Sequence, residues 1–189
     1  MRVPLVAEYA DILQIGSRST ENYTLLAAAA QSGEPILLKR GMVATVTDLL
    51  RSAQVILNHG NPNVILCERG IRTFETAMRN TFDAAAIVFL KQVTHLSVIA
   101  DPNHAAGYHE LVPALARVGV AAGSYGLLVE VLTTPDRAWN DGEQSLDFAE
   151  FDAMMTALKP WIEMRATASG QEGPKEREFA SKYAGDGAF

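Results

Sequence analysis

Five short apolar runs, rich in β-branched residues, recur along the chain at positions 12–15, 35–38, 64–67, 96–100 and 126–131. Successive starts lie 23, 29, 32 and 30 residues apart, about the length of one strand plus one crossover helix. This rhythm restricts the fold more than any other feature. Strands with so much chain between them cannot be joined as tight hairpins, and the intervening segments read as helices, so a parallel sheet with covering helices follows. Ser19 or Thr20 is a predicted N-cap before a helix over 25–30, and Thr45 or Thr47 before one over 49–57. Gly33, Gly60 and Gly123 mark expected helix stops.

After the fifth run, Phe148, Phe151, Met155, Leu158 and Ile162 fall at steps of three and four. They predict one apolar helix face that packs on the sheet. From Ala166 the apolar periodicity lapses until Phe179 and Tyr183, so residues 1–165 are expected to form the domain and 166–189 a mobile tail. With 189 residues, 48% of them hydrophobic, the chain can bury one ordinary core.

Charge and composition narrow the partners. The net charge is −6 and no basic run exceeds Lys39-Arg40, which argues against nucleic acid. Glu8 and Asp11 interrupt the first apolar stretch, and no apolar run approaches the ~18 residues of a membrane span, so a cytoplasmic, non-membrane protein is expected. Cys67 is the only cysteine, which excludes an intrachain disulfide and a zinc site built from several thiolates.

Each apolar run ends in polar residues that a buried strand does not need: Gln14 with Ser17 and Arg18, Lys39-Arg40, Glu68-Arg69, Asp101 with His104, and Glu130. In α/β sheets and barrels this edge is where ligands bind. Arg18, Lys39 and Arg69 are suited to a phosphate or carboxylate dianion. His104, Glu130 and the nearby Asp141 form a mixed nitrogen and oxygen set suited to a divalent ion such as Mn²⁺, Fe²⁺, Co²⁺ or Zn²⁺. The competing reading is that these opposite charges simply pair as salt bridges between loops. His59 and His95 fall at the opposite face, where a structural or surface role is expected, and His109 opens a helix near the mouth. Cys67 reads as a small buried hydrophobe, with Arg69 near enough to lower its pKa.

Five segments in this order carry a resemblance: Gln14-Ile15-Gly16-Ser17-Arg18; Leu37-Leu38-Lys39-Arg40-Gly41; Cys67-Glu68-Arg69-Gly70-Ile71-Arg72-Thr73-Phe74-Glu75, preceded by Ile65-Leu66; Asp101-Pro102-Asn103-His104-Ala105; and Leu128-Val129-Glu130-Val131. Over residues 5–165 the chain resembles the DAHP synthase family, in the subgroup similar to the ketodeoxyoctulosonate-phosphate synthases. The resemblance implies a partial (β/α)₈ barrel whose five parallel βα units match the family's strands four to eight. It also implies a metal-dependent condensation of phosphoenolpyruvate with erythrose-4-phosphate to 3-deoxy-7-phosphoheptulonate, the entry to the shikimate pathway and aromatic amino acids.

On that resemblance Arg18 and Arg69 would hold the phosphate of phosphoenolpyruvate, and Lys39 would contact its reacting end as a catalytic residue. His104, Glu130 and Asp141 would be three of four metal ligands. The family's fourth ligand, a cysteine, and its Lys-Pro-Arg-Thr segment belong to strands one to three, outside the match, and Cys67 matches a different position. Ser17 stands for the usual Ala, Asn103 for Ser, and Leu132 where a His commonly follows Glu-Val. Five units cannot close a barrel, so a homo-oligomer or a complementing N-terminal half is expected. A non-catalytic phosphate- and metal-binding remnant, and a synthase acting on arabinose-5-phosphate, are the rival readings.

Overall fold

A computed structural model of the chain describes residues 2–169. It contains five parallel strands, β1 (Leu13–Ile15), β2 (Ile36–Lys39), β3 (Val64–Glu68), β4 (Ser97–Ala100) and β5 (Gly126–Leu127). Their spatial order is their order in the chain. The crossovers carry α2 (Tyr23–Ala30), α3 (Val46–Asn58), α4 (Ala84–Val93), α5 (Pro102–Ala106) and α6 (Val112–Ala121), with α1 (Val3–Ala7) before the sheet and α7 (Phe148–Ser169) after it. This is the α/β architecture expected of a partial barrel.

The registers show how strand alternation divides labour. Leu13, Ile36 and Val64 align in one row, and Ile15, Leu38, Leu66 and Val98 in the next. All are buried, in one cluster with Leu26 of α2, Leu49, Ala53 and Ile56 of α3, and Ile87 and Leu90 of α4. Fully buried leucines such as Leu38 and Leu66 contribute on the order of 1.5–3 kcal/mol each. The residues between them, Gln14, Leu37, Lys39, Cys67 and Ile99, belong to the other face by the period of two.

Helix ends follow local chemistry. Thr45 caps α3 in a reciprocal capping box with Asp48, and Gly33, Gly60 and Gly123 take positive φ where helices stop. Two expectations are corrected. The cap of α2 is Asn22, whose side chain accepts from the Leu25 amide, because residues 17–19 form a separate 3₁₀ turn. The long C-terminal helix packs chiefly on α6, burying Met154 and Leu158 in a cluster that also takes in Leu127 of β5, with Phe151 half-covered. Phe148, Met155 and Ile162 of the expected face are exposed. Helix α7 runs to Ser169, past the expected boundary at 165, and the rest of the expected tail lies outside the described residues. Among the described residues no helix is long and apolar enough to cross a membrane.

Candidate active site

The polar residues at the strand ends converge on one cavity of about 410 Å³, lined by Arg18, Lys39, Arg69, His104, Glu130 and Asp141 among others. All six sequence-predicted site residues therefore share one mouth.

Consecutive residues leave each strand end in opposite directions, and this separates scaffold from site. Arg40 and Glu68 turn toward the helix layer. There Arg40 Nη1 donates to Glu68 Oε2 at 2.9 Å and to Asp83 Oδ2 at 2.8 Å, and its Nε donates to the Ala44 carbonyl. Asp83 also caps α4 by accepting from the Ala86 amide. Burial pushes the Glu68 carboxyl up, against the pull of Arg40. Its other oxygen accepts from the Gly70 amide at 2.7 Å, which fixes the turn that carries Arg69. Gly70 has φ +84°, and a Cβ there would lie 2.8 Å from Cβ of Asn80 and 3.0 Å from Cα of Ala105, so only glycine fits.

Lys39 and Arg69 point into the cavity. Arg69 is 2% exposed. Its Nη1 makes one long contact to the Gly70 carbonyl, and its buried Nε has no partner. Among the described residues no carboxylate lies within ion-pair distance of this guanidinium, and burial lowers its pKa. A buried cation with spare donors facing a cavity is built to receive an anion. Arg18 reaches the same cavity from the turn after β1.

Lys39 is 4% exposed and lies 2.5 Å from Asp101 Oδ2. The same oxygen is 2.8 Å from His104 Nδ1. Burial alone would raise the Asp101 carboxyl, but His104 and Lys39 together outweigh it and hold it below its ordinary range. Asp101 Oδ1 accepts from the His104 amide, capping α5 and fixing the start of the turn that carries His104.

Across the cavity, ligand atoms of His104, Glu130 and Asp141 all lie within 4.8 Å of one another. One imidazole and two carboxylates at this spacing fit a divalent transition metal with coordination positions to spare. Their placement depends on residues that sequence reasoning missed. Gln144, buried in the 3₁₀ turn Gly142–Gln144, donates through Nε2 to Glu130 Oε2 at 2.5 Å and accepts from Arg79. Arg79 also pairs with Asp141 Oδ1 at 2.6 Å. Asn103 accepts from the Glu130 amide and donates to the Gln144 carbonyl, tying α5 to both loops. Asp141 is the one described non-glycine residue at positive φ, 56°, a conformation that Asp tolerates better than most residues. No periodicity marks Arg79, Asn103 or Gln144. Arg79 and Gln144 carry no signal beyond their place in the segments after β3 and β5, and Asn103, on α5, only its place beside His104 in the Asp101–Ala105 segment.

Other candidates fall away from the chemistry. His109 lies between Glu110 and Glu150, and His59 bonds the Val55 carbonyl at the end of α3. Cys67 is completely buried, as expected of a small hydrophobe, and burial pushes its thiol well up, outweighing the expected downward pull of Arg69.

Parallel strands whose carboxyl ends gather buried cations on one side of a cavity and carboxylates with an imidazole on the other define an α/β chain of the barrel type with its candidate site at the strand ends. Comparison with known proteins narrows this class. Residues 1–165 match the DAHP synthetase I family, and the chain belongs to it. It is 47% identical over 157 residues to a phospho-2-dehydro-3-deoxyheptonate aldolase of Thermotoga maritima, covering 83% of this chain and 46% of that protein. It is 31% identical over 177 residues to a 2-dehydro-3-deoxyphosphooctonate aldolase of a Bradyrhizobium species, covering 88% of this chain and 60% of that one. A truncated form of 3-deoxy-D-arabino-heptulosonate 7-phosphate synthase from Thermotoga maritima superposes with a TM-score of 0.84 at 46% identity, covering 86% of this chain and 62% of that structure. The chain thus spans about half to three-fifths of the length of the relatives it matches.

Proposed function

We propose that this chain carries the phosphate-binding and metal-binding half of a 3-deoxy-7-phosphoheptulonate synthase, which joins phosphoenolpyruvate to erythrose-4-phosphate at the entry to aromatic biosynthesis. The observation that carries the reading is Arg69, a buried guanidinium that lines the cavity and whose Nε has no partner. Together with Arg18 it forms the phosphate site for phosphoenolpyruvate, and Lys39 places its ammonium at the reacting end. His104, Glu130 and Asp141 hold a divalent ion such as Mn²⁺, Fe²⁺, Co²⁺ or Zn²⁺, which supplies Lewis acidity toward an aldehyde oxygen. Arg79 and Gln144 keep Asp141 and Glu130 in place for it. The aldol-type step joins C3 of phosphoenolpyruvate to the aldehyde carbon, water adds at C2, and phosphate leaves. Erythrose-4-phosphate is favoured over arabinose-5-phosphate because the heptonate relative is 47% identical and the octonate relative 31%.

The direct test is aldose-dependent phosphate release from phosphoenolpyruvate with Mn²⁺, with both aldoses compared. Phosphoenolpyruvate binding without release supports a half-site or a non-catalytic binding protein. Replacing Arg69 with Ala removes a charged hydrogen-bonding group, worth about 1.5–3 kcal/mol. Calorimetry should show the dissociation constant for phosphoenolpyruvate rising roughly ten- to hundredfold, and an unchanged constant removes Arg69 from the phosphate site.

Among the described residues β1 pairs only with β2 and β5 only with β4, so two strand edges remain open. We propose that these edges accept the strands that complete the barrel, from a complementing N-terminal half or a second copy of the chain. Sedimentation should show a dimer or larger assembly, or a monomer that gains activity when the N-terminal half is added. An active lone monomer would exclude both.

A further inference from the structure

The side-chain amide of Gln144 joins a group that can only donate to one that can only accept. Its Oε1 accepts from Arg79 Nη1, and its Nε2 donates to Glu130 Oε2 at 2.5 Å. A guanidinium has no acceptor and a carboxylate no donor, so the amide fits in one orientation alone. Gln144 is 1% exposed. Its place is held from the main chain, whose carbonyl accepts from Asn103 Nδ2 at 2.6 Å, while Asn103 Oδ1 accepts from the Glu130 amide. One buried side chain therefore fixes the backbones of both Glu130 and Gln144.

The consequence falls on Glu130. Its Oε2 is engaged by the amide, and its Oε1 lies 3.5 Å from His104 Nε2, on the side of the other metal-type donors. A carboxylate held in this way offers an ion one oxygen rather than two. Ca²⁺ fills roughly six to eight oxygen positions and often takes both oxygens of a Glu. Ions such as Co²⁺ and Zn²⁺ need fewer donors and accept an imidazole readily.

We propose that Gln144 is a specificity-determining residue for the metal: by holding Glu130 Oε2 it limits Glu130 to single-oxygen ligation and so discriminates against Ca²⁺. The inference rests on the reading of His104, Glu130 and Asp141 as metal ligands and adds which ions they admit.

Gln144→Met keeps the length and bulk of the side chain and removes both polar ends. Its partners are part-exposed, the Arg79 side chain by 38% and that of Glu130 by 32%, so no buried charge is stranded. The bond from Asn103 goes to the main chain and survives. Calorimetry with Ca²⁺ alone should show affinity rising roughly tenfold or more in Gln144→Met, the scale on which outer partners tune a metal site. Loss of a merely structural residue weakens Ca²⁺ and Mn²⁺ together, so a gain separates the two roles. A Gln144→Met that keeps the wild-type circular dichroism and gains no Ca²⁺ affinity overturns the proposal.

Infrared difference spectra of wild type, Mn²⁺-loaded minus metal-free, read the same point without a variant at position 144. With carbon-13 in the Glu carboxyl groups, and the Glu130 bands assigned by their loss in Glu130→Gln, single-oxygen ligation splits the two carboxylate stretches more widely than in the free ion. That wider splitting is the expected result. A narrowed splitting, the mark of two-oxygen ligation, overturns the proposal even if Gln144→Met fails to fold. If wild type takes up no Mn²⁺ at all, the metal reading itself falls and this inference with it.

Discussion

Arg40→Ala is expected to destabilise the fold by about 3–5 kcal/mol, the cost of stranding a buried charge. Glu68 is completely buried, and without Arg40 its Oε2 keeps no cationic partner. Asp83, which is part-exposed, can turn to water. Urea denaturation at neutral pH measures the loss, and a change below about 1 kcal/mol would show the pair to be incidental. The pH dependence has a definite sign. Burial already raises the Glu68 carboxyl, and removing Arg40 raises it further, so the folded variant holds a proton that the unfolded chain releases near its ordinary ~4.3. The deficit is therefore full above the folded pKa and shrinks as pH falls toward the unfolded value. Arg40→Met combined with Glu68→Gln removes both charges and keeps an acceptor for the Gly70 amide, so most of the loss should be recovered.

His104→Ala should weaken Mn²⁺ binding by more than about a hundredfold, beyond the cost of losing an outer partner. It removes the sole nitrogen donor of the cluster and leaves two carboxylates, one of them engaged by Arg79. Phosphoenolpyruvate affinity in the absence of metal should change little, since the phosphate is assigned to Arg18 and Arg69. Arg69→Ala should give the converse pattern, with metal binding kept and phosphoenolpyruvate binding weakened. Calorimetry on both variants with both ligands checks the division, and an unchanged Mn²⁺ affinity in His104→Ala would dissolve it.

The strands were legible because a strand covered by helices must be apolar, and β2, β3 and β4 fall within a residue or two of the runs that predict them. The fifth run was read too long. Only Gly126–Leu127 pair with β4, and by Val131 the chain has left to form a lone bridge with Leu146. That departure places Glu130 against Gln144. The mouth was legible as chemistry, since charge at the end of an apolar strand has no packing explanation. The separate tasks of Lys39 and Arg40, or of Glu68 and Arg69, follow from the two-residue period of a strand and emerge only with the sheet's register. Arg79 and Gln144 lie outside the periodic segments and Asn103 on the five-residue α5, and the roles of all three come from tertiary contact. The face of α7 was misread because its neighbour is the ten-residue α6. A partner less than half its length covers a short stripe through Phe151, Met154 and Leu158 and leaves the flanking apolar residues exposed.

A sheet whose spatial order is its chain order can be built from one end. During synthesis each new strand meets a neighbour that has already left the ribosome, and none has to insert between two others. The cationic side of the cavity, Arg18 to Arg69, is therefore made first. Asp141 follows Arg69 by about 70 residues, a delay of roughly 4–14 s at ordinary elongation rates. For that interval Arg18, Lys39 and Arg69 have been synthesised while Asp141 has not.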